Sequence, residues 1–166
     1  MQSVGITTDS SSCLPLELVE HFDIQVLPLQ FVIGGKTYLD GVYITPSQFY
    51  AMLPHLGQLP TTSPSSQGRY RQAIDDKAGR YQSVFCITVS KSFSAMFDSA
   101  REAAELAEKT HVCLRTEVLD SDTAAGVHGL VVLEAARSTM SQVHLVAVIG
   151  TQNRLAVHRQ GALNVA

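Results

Sequence analysis

The chain has 166 residues, enough for one ordinary domain with a hydrophobic core or for one domain and part of another. Hydrophobic residues make up 45% and charged residues 16%, which is a globular composition and excludes a largely disordered chain. The net charge is −3 and the basic residues are scattered, so nothing indicates a nucleic-acid or anionic-membrane surface.

No targeting signal is visible in the sequence. The N-terminus lacks a charged region followed by an apolar one, and no apolar run approaches the ~18 residues that a membrane helix needs. The three cysteines, Cys13, Cys86 and Cys113, form no CxxC pair, which favours reduced thiols. We therefore expect a cytoplasmic protein without stable membrane insertion.

The first half of the chain alternates short strands and helices. A strand over residues 4–7 runs into a polar turn, and Pro15 suits the first turn of a helix. A second strand covers residues 24–29, and residues 31–39 around Gly34 and Gly35 read as a hairpin. Thr45-Pro46-Ser47-Gln48 has capping-box spacing, which predicts a helix to about His55.

The second half repeats this alternation. We predict a turn-rich stretch at residues 60–66, helices ending near Gly79, over 94–108 and over 123–137, and strands over 83–89 and from about 112 to 121. Short strands separated by helices of ten or more residues indicate an α/β domain with a mainly parallel sheet and helices on both faces.

Residues 141–166 differ from the rest of the chain. They contain Arg154 and Arg159 but no acidic residue and no lysine, and they end in an apolar helix start. Because a natural C-terminus is usually exposed and polar, we expect a first α/β domain over residues 1–140. Residues 141–166 would then begin a second α/β domain that is truncated.

Four segments rich in small hydroxyl residues lie at or near the carboxyl ends of predicted strands, where parallel α/β sheets bind ligands. They cover residues 8–12, 61–66, 90–94 and 120–123. Hydroxyl and backbone N–H donors at helix N-termini form anion sites. Each segment alone is also explained by an N-cap or a local turn, so the spacing predicts only an anion or a polar ligand.

Catalytic and metal-binding templates fit poorly. The chain has no G-x-S-x-G, no glycine-rich phosphate loop and no HExxH, and its six histidines show no ligand spacing. Asp9 and Asp120 each end a strand and could hold a metal or act as acid and base, but we expect them to cap the following turns.

In order and spacing, these segments resemble the DegV family. The matches are to a TDS-S-x-LP opening at residues 8–15, PL…G-K-x-Y-x-D at 28–40, FY-x-x-L at 49–53, P-x-TSQPS at 60–66, SS-x-LSGTY-x-SA at 90–100 and DS at 120–121. No single motif is decisive, but six in the right order make coincidence unconvincing.

The resemblance implies two α/β domains with a long-chain fatty acid, such as palmitate, buried between them. Carried over by position, the residues that hold its carboxylate are Thr62 and Ser94, with Ser63 beside the first. The family protein is a carrier and not itself an enzyme, needs no cofactor, and presents the acyl group to an ATP-dependent fatty-acid kinase. A homodimer of this chain is a second way in which the pocket could be completed.

Three departures from the family pattern bear on this site. Pro64 replaces the glutamine, Ala95 and Met96 replace Gly-Thr, and about 120 residues of the second domain are missing. Two other hypotheses stay open: a phosphotransfer enzyme of a related α/β fold, and a half-domain that folds or dimerises without binding lipid.

Overall fold

The computed structural model of the protein describes residues 4–140. In chain order the strands are β1 (Val4–Asp9), β2 (Gln25–Leu27), β3 (Gln30–Ile33), β4 (Lys36–Leu39), β5 (Thr61–Ser63), β6 (Ser83–Thr88) and β7 (Arg115–Asp120). The helices are α1 (Leu16–His21), α2 (Pro46–Met52), α3 (Gln67–Ala78), α4 (Met96–Thr110) and α5 (Ala125–Met140). The second domain predicted over residues 141–166 lies outside the described residues.

Four strands form a parallel sheet in the order β2-β1-β6-β7. One face packs on α3 and α4 through a cluster that includes Ile74, Val84 and Ala103. The other face packs on α5 and, at its margin, α1 through a cluster that includes Ile6, Phe85 and Val132. Successive β6 residues enter opposite clusters because strand side chains alternate between faces. The α/β prediction, with helices on both faces, is confirmed.

A second, antiparallel sheet holds the strands in the order β4-β3-β5. Gly34 and Gly35 link β3 to β4 with positive φ angles of 56° and 78°, a conformation that glycine adopts readily. The expected turn at residues 60–66 is only partly correct, because residues 61–63 pair with β3 as β5. Backbone pairing therefore prevailed over the turn-forming composition of this stretch.

The predicted capping box is present at the start of α2. Thr45 Oγ1 accepts the Gln48 N–H at 3.3 Å, and the Gln48 side chain accepts the Thr45 N–H at 2.8 Å. Helix α4 begins at Met96, two residues later than predicted, so Ser94 lies in the connection from β6 and not in the helix. The sequence thus located both helices and the first residue of α2, but not the first residue of α4.

The opposite, amino-terminal end of the sheet is held by a separate polar cluster. Lys77 is 1% exposed and lies 3.0 Å from an Asp23 carboxylate oxygen, while Tyr81 donates its hydroxyl to the same oxygen. Burial, with a further contribution from Asp23, raises the pKa of Tyr81 to about 12. This cluster stabilises the domain near the first residues of β1.

Helix α5 approaches the turn after β1 closely at one residue. A Cβ atom added at Gly129 would lie 2.4 Å from the Ser12 carbonyl oxygen, a distance that real contacts do not reach. One helical turn away, Gly126 has open space around the same position. Contact between α5 and the turn therefore requires glycine at 129 and not at 126.

We predict that Gly129→Ala lowers the free energy of unfolding by about 2 kcal/mol or more, because the added methyl group must displace backbone. Gly126→Ala is the matched control and should be neutral or stabilising by up to about 1 kcal/mol, since alanine favours helix. Urea unfolding of the two variants measures the difference. Equal stability of both variants would contradict the close packing of α5 on the turn.

Candidate functional site

Three of the four hydroxyl-rich segments lie together at the carboxyl end of the parallel sheet. They follow β1, β6 and β7, which are neighbours in the sheet. Ser90 donates its N–H to the Thr123 carbonyl at 2.9 Å, and Ser121 donates its N–H to the Thr88 carbonyl at 3.0 Å. The predicted grouping of these segments is correct, because parallel strands place their carboxyl ends at one edge.

The fourth segment, residues 61–66, belongs to the antiparallel sheet and reaches this edge only through intermediates. Ser65 donates its hydroxyl to the Pro28 carbonyl at 2.6 Å. The next residue, Leu29, donates its N–H to Ser10 Oγ at 3.0 Å. The link between β2 and β3 therefore connects the segment after β5 to the turn after β1.

Asp9 is the central polar residue of the edge, and its side chain is fully buried. Oδ1 accepts the Ser11 N–H at 3.1 Å and also the Ser11 hydroxyl. Oδ2 accepts the N–H of Val89, the residue that follows β6, in a hydrogen bond of 2.8 Å. The capping role expected for Asp9 is present, and a second contact, made to a different strand, accompanies it.

Asp120 also caps, as expected. Its Oδ1 accepts the Asp122 N–H at 2.9 Å and the Lys91 N–H at 3.3 Å. Lys91 Nζ, on an exposed side chain, lies 3.6 Å from Oδ2 of the same, mostly buried carboxylate. Among the residues that the structure describes, no group of three or more His, Cys, Asp or Glu side chains is placed to hold a metal ion.

His128 is a fully buried histidine that the sequence did not single out. Its Nε2 lies 3.2 Å from Thr8 Oγ1, and its Nδ1 lies 3.3 Å from Ser11 Oγ and 3.9 Å from Asp9 Oδ1. Since Thr8 donates its hydroxyl to the Ile87 carbonyl at 2.9 Å, Thr8 Oγ1 is free to accept from Nε2. The available signal was its position on α5, three and four residues before the buried Val131 and Val132.

Burial lowers the pKa of His128, because the surrounding protein cannot solvate a charged imidazole as water does. The Asp9 carboxylate and a hydrogen bond with the Ile87 backbone both raise the pKa, and burial is the largest of the three effects. A neutral ring with its proton on Nε2 fits the contact with Thr8; because the Ser11 hydroxyl donates its one proton to Asp9, Nδ1 then packs against Ser11 Oγ without a hydrogen bond.

An open cavity of about 790 Å³ lies between the turn after β1, helix α1 and the antiparallel sheet. Most of its lining residues are apolar, among them Leu16, Val19, Val26, Phe31 and Phe49. The rings of Phe31 and Phe49 stack with centroids 5.0 Å apart. This volume lies within the range of about 300–1,000 Å³ that is typical of small-molecule pockets.

The turn after β1 provides polar groups in the cavity wall. Ser10 and Ser12 both line the cavity. Ser12 Oγ is buried and has no hydrogen-bond partner among the described residues. The cavity therefore combines an apolar body with a few hydroxyl groups at the edge of the parallel sheet.

Thr62 is exposed and lies directly opposite Phe31 in the β3–β5 pair. Directly opposed residues of an antiparallel pair project to the same face of the sheet. Thr62 therefore lies on the face that carries Phe31 to the cavity, whereas its neighbours Thr61 and Ser63 project to the other face.

Ser94 is partly buried in the segment between β6 and α4, and its N–H donates to the Ser90 carbonyl at 3.2 Å. Thr62 belongs to the antiparallel sheet and Ser94 to the connection that follows β6 of the parallel sheet, and neither residue is among those that line the cavity. Ala95 has an ordinary φ of −76°, so the glycine of the family pattern is not needed for this backbone. Met96, the first residue of α4, is fully buried in the core.

Fold and cavity together define the class of protein as an α/β domain with an apolar pocket at the carboxyl edge of a parallel sheet. No helix in the described part of the chain is long and apolar enough to span a membrane. The chain belongs to the DegV family, because residues 3–163 match the family described as "Uncharacterised protein, DegV family". The resemblance seen in the sequence motifs is confirmed.

A curated relative, a DegV domain-containing protein of Caldanaerobacter subterraneus, is 32% identical over 91% of this chain and 52% of its own length. A fatty-acid-binding DegV family protein from Thermus thermophilus superposes with a TM-score of 0.81 at 27% identity, over 92% of this chain and 53% of that one.

A third protein, the fatty acid kinase B3 protein of Streptococcus pneumoniae loaded with linoleic acid, shares the fold with a TM-score of 0.77 at 17% identity. The match covers 92% of this chain and 53% of that one. This chain spans about half the length of the curated relatives it matches.

We predict that the free energy of unfolding decreases as the pH falls from 7.5 to 5. An unfolded histidine binds a proton near pH 6.5, while His128 in the folded protein resists protonation because its pKa is lowered. The unfolded state therefore binds more protons, and stability that is present above pH 6.5 is lost below it, by at most about 1.4 kcal/mol per pH unit.

Urea unfolding at several pH values measures this decrease. His128→Gln should flatten it, whereas His21→Gln, which changes an exposed histidine, should leave it in place. Carboxylates titrate mainly below this window and contribute little to it. An identical pH dependence in the His128→Gln variant would contradict a neutral buried His128.

Proposed function

We propose that this protein binds a long-chain fatty acid, with the acyl chain in the apolar cavity and the carboxylate on the hydroxyls of Thr62 and Ser94. The observation that carries the proposal is the cavity of about 790 Å³ lined by Phe31, whose cross-strand partner is Thr62. The apolar cavity suits the acyl chain of a fatty acid, and a hydroxyl on the same face of the sheet suits its carboxylate.

The cavity supplies most of the binding free energy under this proposal. Burial of an acyl chain is worth about 0.8 kcal/mol per methylene group, so a long chain gains on the order of 10 kcal/mol before the costs of association. Leu16, Val42 and Tyr50 line the cavity and are between 61% and 68% exposed, so they have apolar surface left for a ligand to cover.

Under this proposal the two hydroxyls hold the carboxylate end of the lipid beyond the apolar lining, since neither Thr62 nor Ser94 is among the cavity-lining residues. Thr62 Oγ1 and Ser94 Oγ have no hydrogen-bond partner within residues 4–140, so both are available to donate to a carboxylate. Such a bond to a charged group is worth about 1.5–3 kcal/mol. Ser63 projects to the face opposite Thr62, which favours a backbone or supporting role for it over direct contact.

We further propose that the bound carboxylate is presented to an ATP-dependent fatty-acid kinase, as the family resemblance implies. Neutral hydroxyl donors leave carboxylate oxygens open to a second protein, whereas a bidentate arginine would occupy both of them. The protein would then act as a carrier and the chemistry would belong to its partner. Co-purified acyl chains detected by mass spectrometry of the native protein would support the carrier role over phosphotransfer.

We predict that Thr62→Ala combined with Ser94→Ala lowers the affinity for palmitate about tenfold or more, because one or both hydrogen bonds to a charged group are lost. Calorimetric titration of the purified protein measures the change. The affinity for the uncharged methyl ester should change much less, because chain burial is unaffected.

The matched control combines Thr61→Ala with Ser92→Ala. Thr61 lies on the opposite face of β5, and Ser92 is an exposed hydroxyl in the same connection as Ser94. The control should bind palmitate like the unmodified protein. Unchanged palmitate binding in the Thr62 and Ser94 double variant would refute the assignment of these residues.

We also predict that Leu16→Asp lowers palmitate affinity about tenfold or more, because a carboxylate in the cavity wall opposes burial of the chain. Leu16 is 66% exposed, so the folded state should tolerate the change. Leu130→Asp is the control, since Leu130 is 65% exposed and is not among the lining residues. Equal affinities of the two variants, measured by the same titration, would place the acyl chain elsewhere.

A further inference from the structure

The Asp9 carboxylate makes more contacts than capping the turn requires. A cap needs one oxygen, and Asp9 Oδ1 provides it by accepting the Ser11 N–H at 3.1 Å. The second oxygen, Oδ2, accepts the Val89 N–H at 2.8 Å from a residue 80 positions along the chain. One buried side chain thus joins two segments that are far apart in sequence.

These two segments carry part of the proposed site. Ser11 belongs to the turn whose neighbouring residues, Ser10 and Ser12, line the cavity. Val89 leads directly into the connection that contains Ser94, whose N–H is bonded to the Ser90 carbonyl at 3.2 Å. The distance between the cavity wall and Ser94 is therefore constrained through Asp9.

His128 acts on the same turn from helix α5. Its Nδ1 lies 3.3 Å from Ser11 Oγ, and its Nε2 lies 3.2 Å from Thr8 Oγ1 in β1. The following residue, Gly129, packs against the Ser12 carbonyl. The turn is consequently hydrogen-bonded from the sheet side by Asp9 and packed from the helix side by His128 and Gly129.

We infer that Asp9 and His128 are positioning residues, which hold the cavity-lining turn and the Ser94 segment in the one arrangement that binds the lipid. This inference rests on the proposed function. Both side chains are fully buried and neither is among the cavity-lining residues, so we expect neither to contact the lipid. Their effect on binding passes through Ser11 and Val89.

The test uses Asp9→Asn, which keeps the size of the side chain but replaces one acceptor oxygen with an amide donor. An amide that accepts the Val89 N–H can no longer accept from Ser11. We expect palmitate affinity to decrease about tenfold or more, as for the loss of a hydrogen bond to a charged group. Backbone hydrogen exchange at Ser11, Val89 and Ser94 should accelerate in the ligand-free protein.

Two His128 variants separate positioning from simple core stability. Asn places its amide near the position of Nδ1 and can still contact Ser11, whereas Gln reaches toward the position of Nε2 and Thr8. His128→Asn should therefore retain more palmitate affinity than His128→Gln. Backbone hydrogen exchange at Ser11 should also be slower in His128→Asn than in His128→Gln.

The stability control is Lys77→Met, at the other end of the same sheet, where Lys77 is as buried as Asp9 and bonded to Asp23. This variant should lose stability without losing palmitate affinity. An Asp9→Asn variant that binds palmitate like the unmodified protein would overturn the positioning role and leave the proposed function standing. If Lys77→Met lost palmitate affinity in proportion to its loss of stability, that result would also overturn the positioning role.

The exchange measurement keeps the two proposals distinguishable. If the unmodified protein binds no fatty acid, the proposed function fails. Accelerated exchange at Ser11 and Ser94 in Asp9→Asn would then still establish that the carboxylate positions both segments. Unchanged exchange at these amides would overturn the positioning role whatever the lipid result.

Discussion

The buried carboxylate of Asp9 is the constraint on which the carboxyl edge of the sheet depends. Removing a charged group from water costs several kcal/mol unless hydrogen-bond donors surround it. Asp9 obtains its donors from Ser11 and from Val89, so the turn after β1 and the end of β6 must both be in place for the carboxylate to be satisfied. Its burial therefore orders the edge as a unit, and helix α5 adds His128 to the same network.

The cavity is built where two sheets of different kind meet. The parallel sheet, covered by helices on both faces, supplies the fixed edge, and the antiparallel sheet with α2 supplies the opposite wall. Two hydrogen bonds at the link between β2 and β3 couple them, from Leu29 to Ser10 and from Ser65 to Pro28. Thr62 lies in the antiparallel sheet, and Ser94 lies in the connection that follows β6 of the parallel sheet. The carboxylate contact proposed for both residues would therefore bridge the two sheets.

The three substitutions that depart from the family pattern differ in their structural surroundings. Ala95 occupies an ordinary backbone conformation, so the loss of glycine there has no conformational cost. Met96 is fully buried in the core, which explains why an apolar side chain suits that position. Pro64 directly follows β5, where a strand ends and a missing N–H removes no ladder hydrogen bond.

The sequence by itself determined the α/β class, the strands β1 and β6, the capping box of α2 and the family. These features depend on local periodicity, proline and glycine positions and ordered motifs, all of which are readable along the chain. Only the tertiary structure decided that residues 61–63 form β5, that Met96 starts α4 and that His128 meets Asp9 and Ser11. Contacts between residues 80 to 120 positions apart carry no local signature. Whether a polar residue is a surface group or a buried partner depends on which donors the fold brings to it.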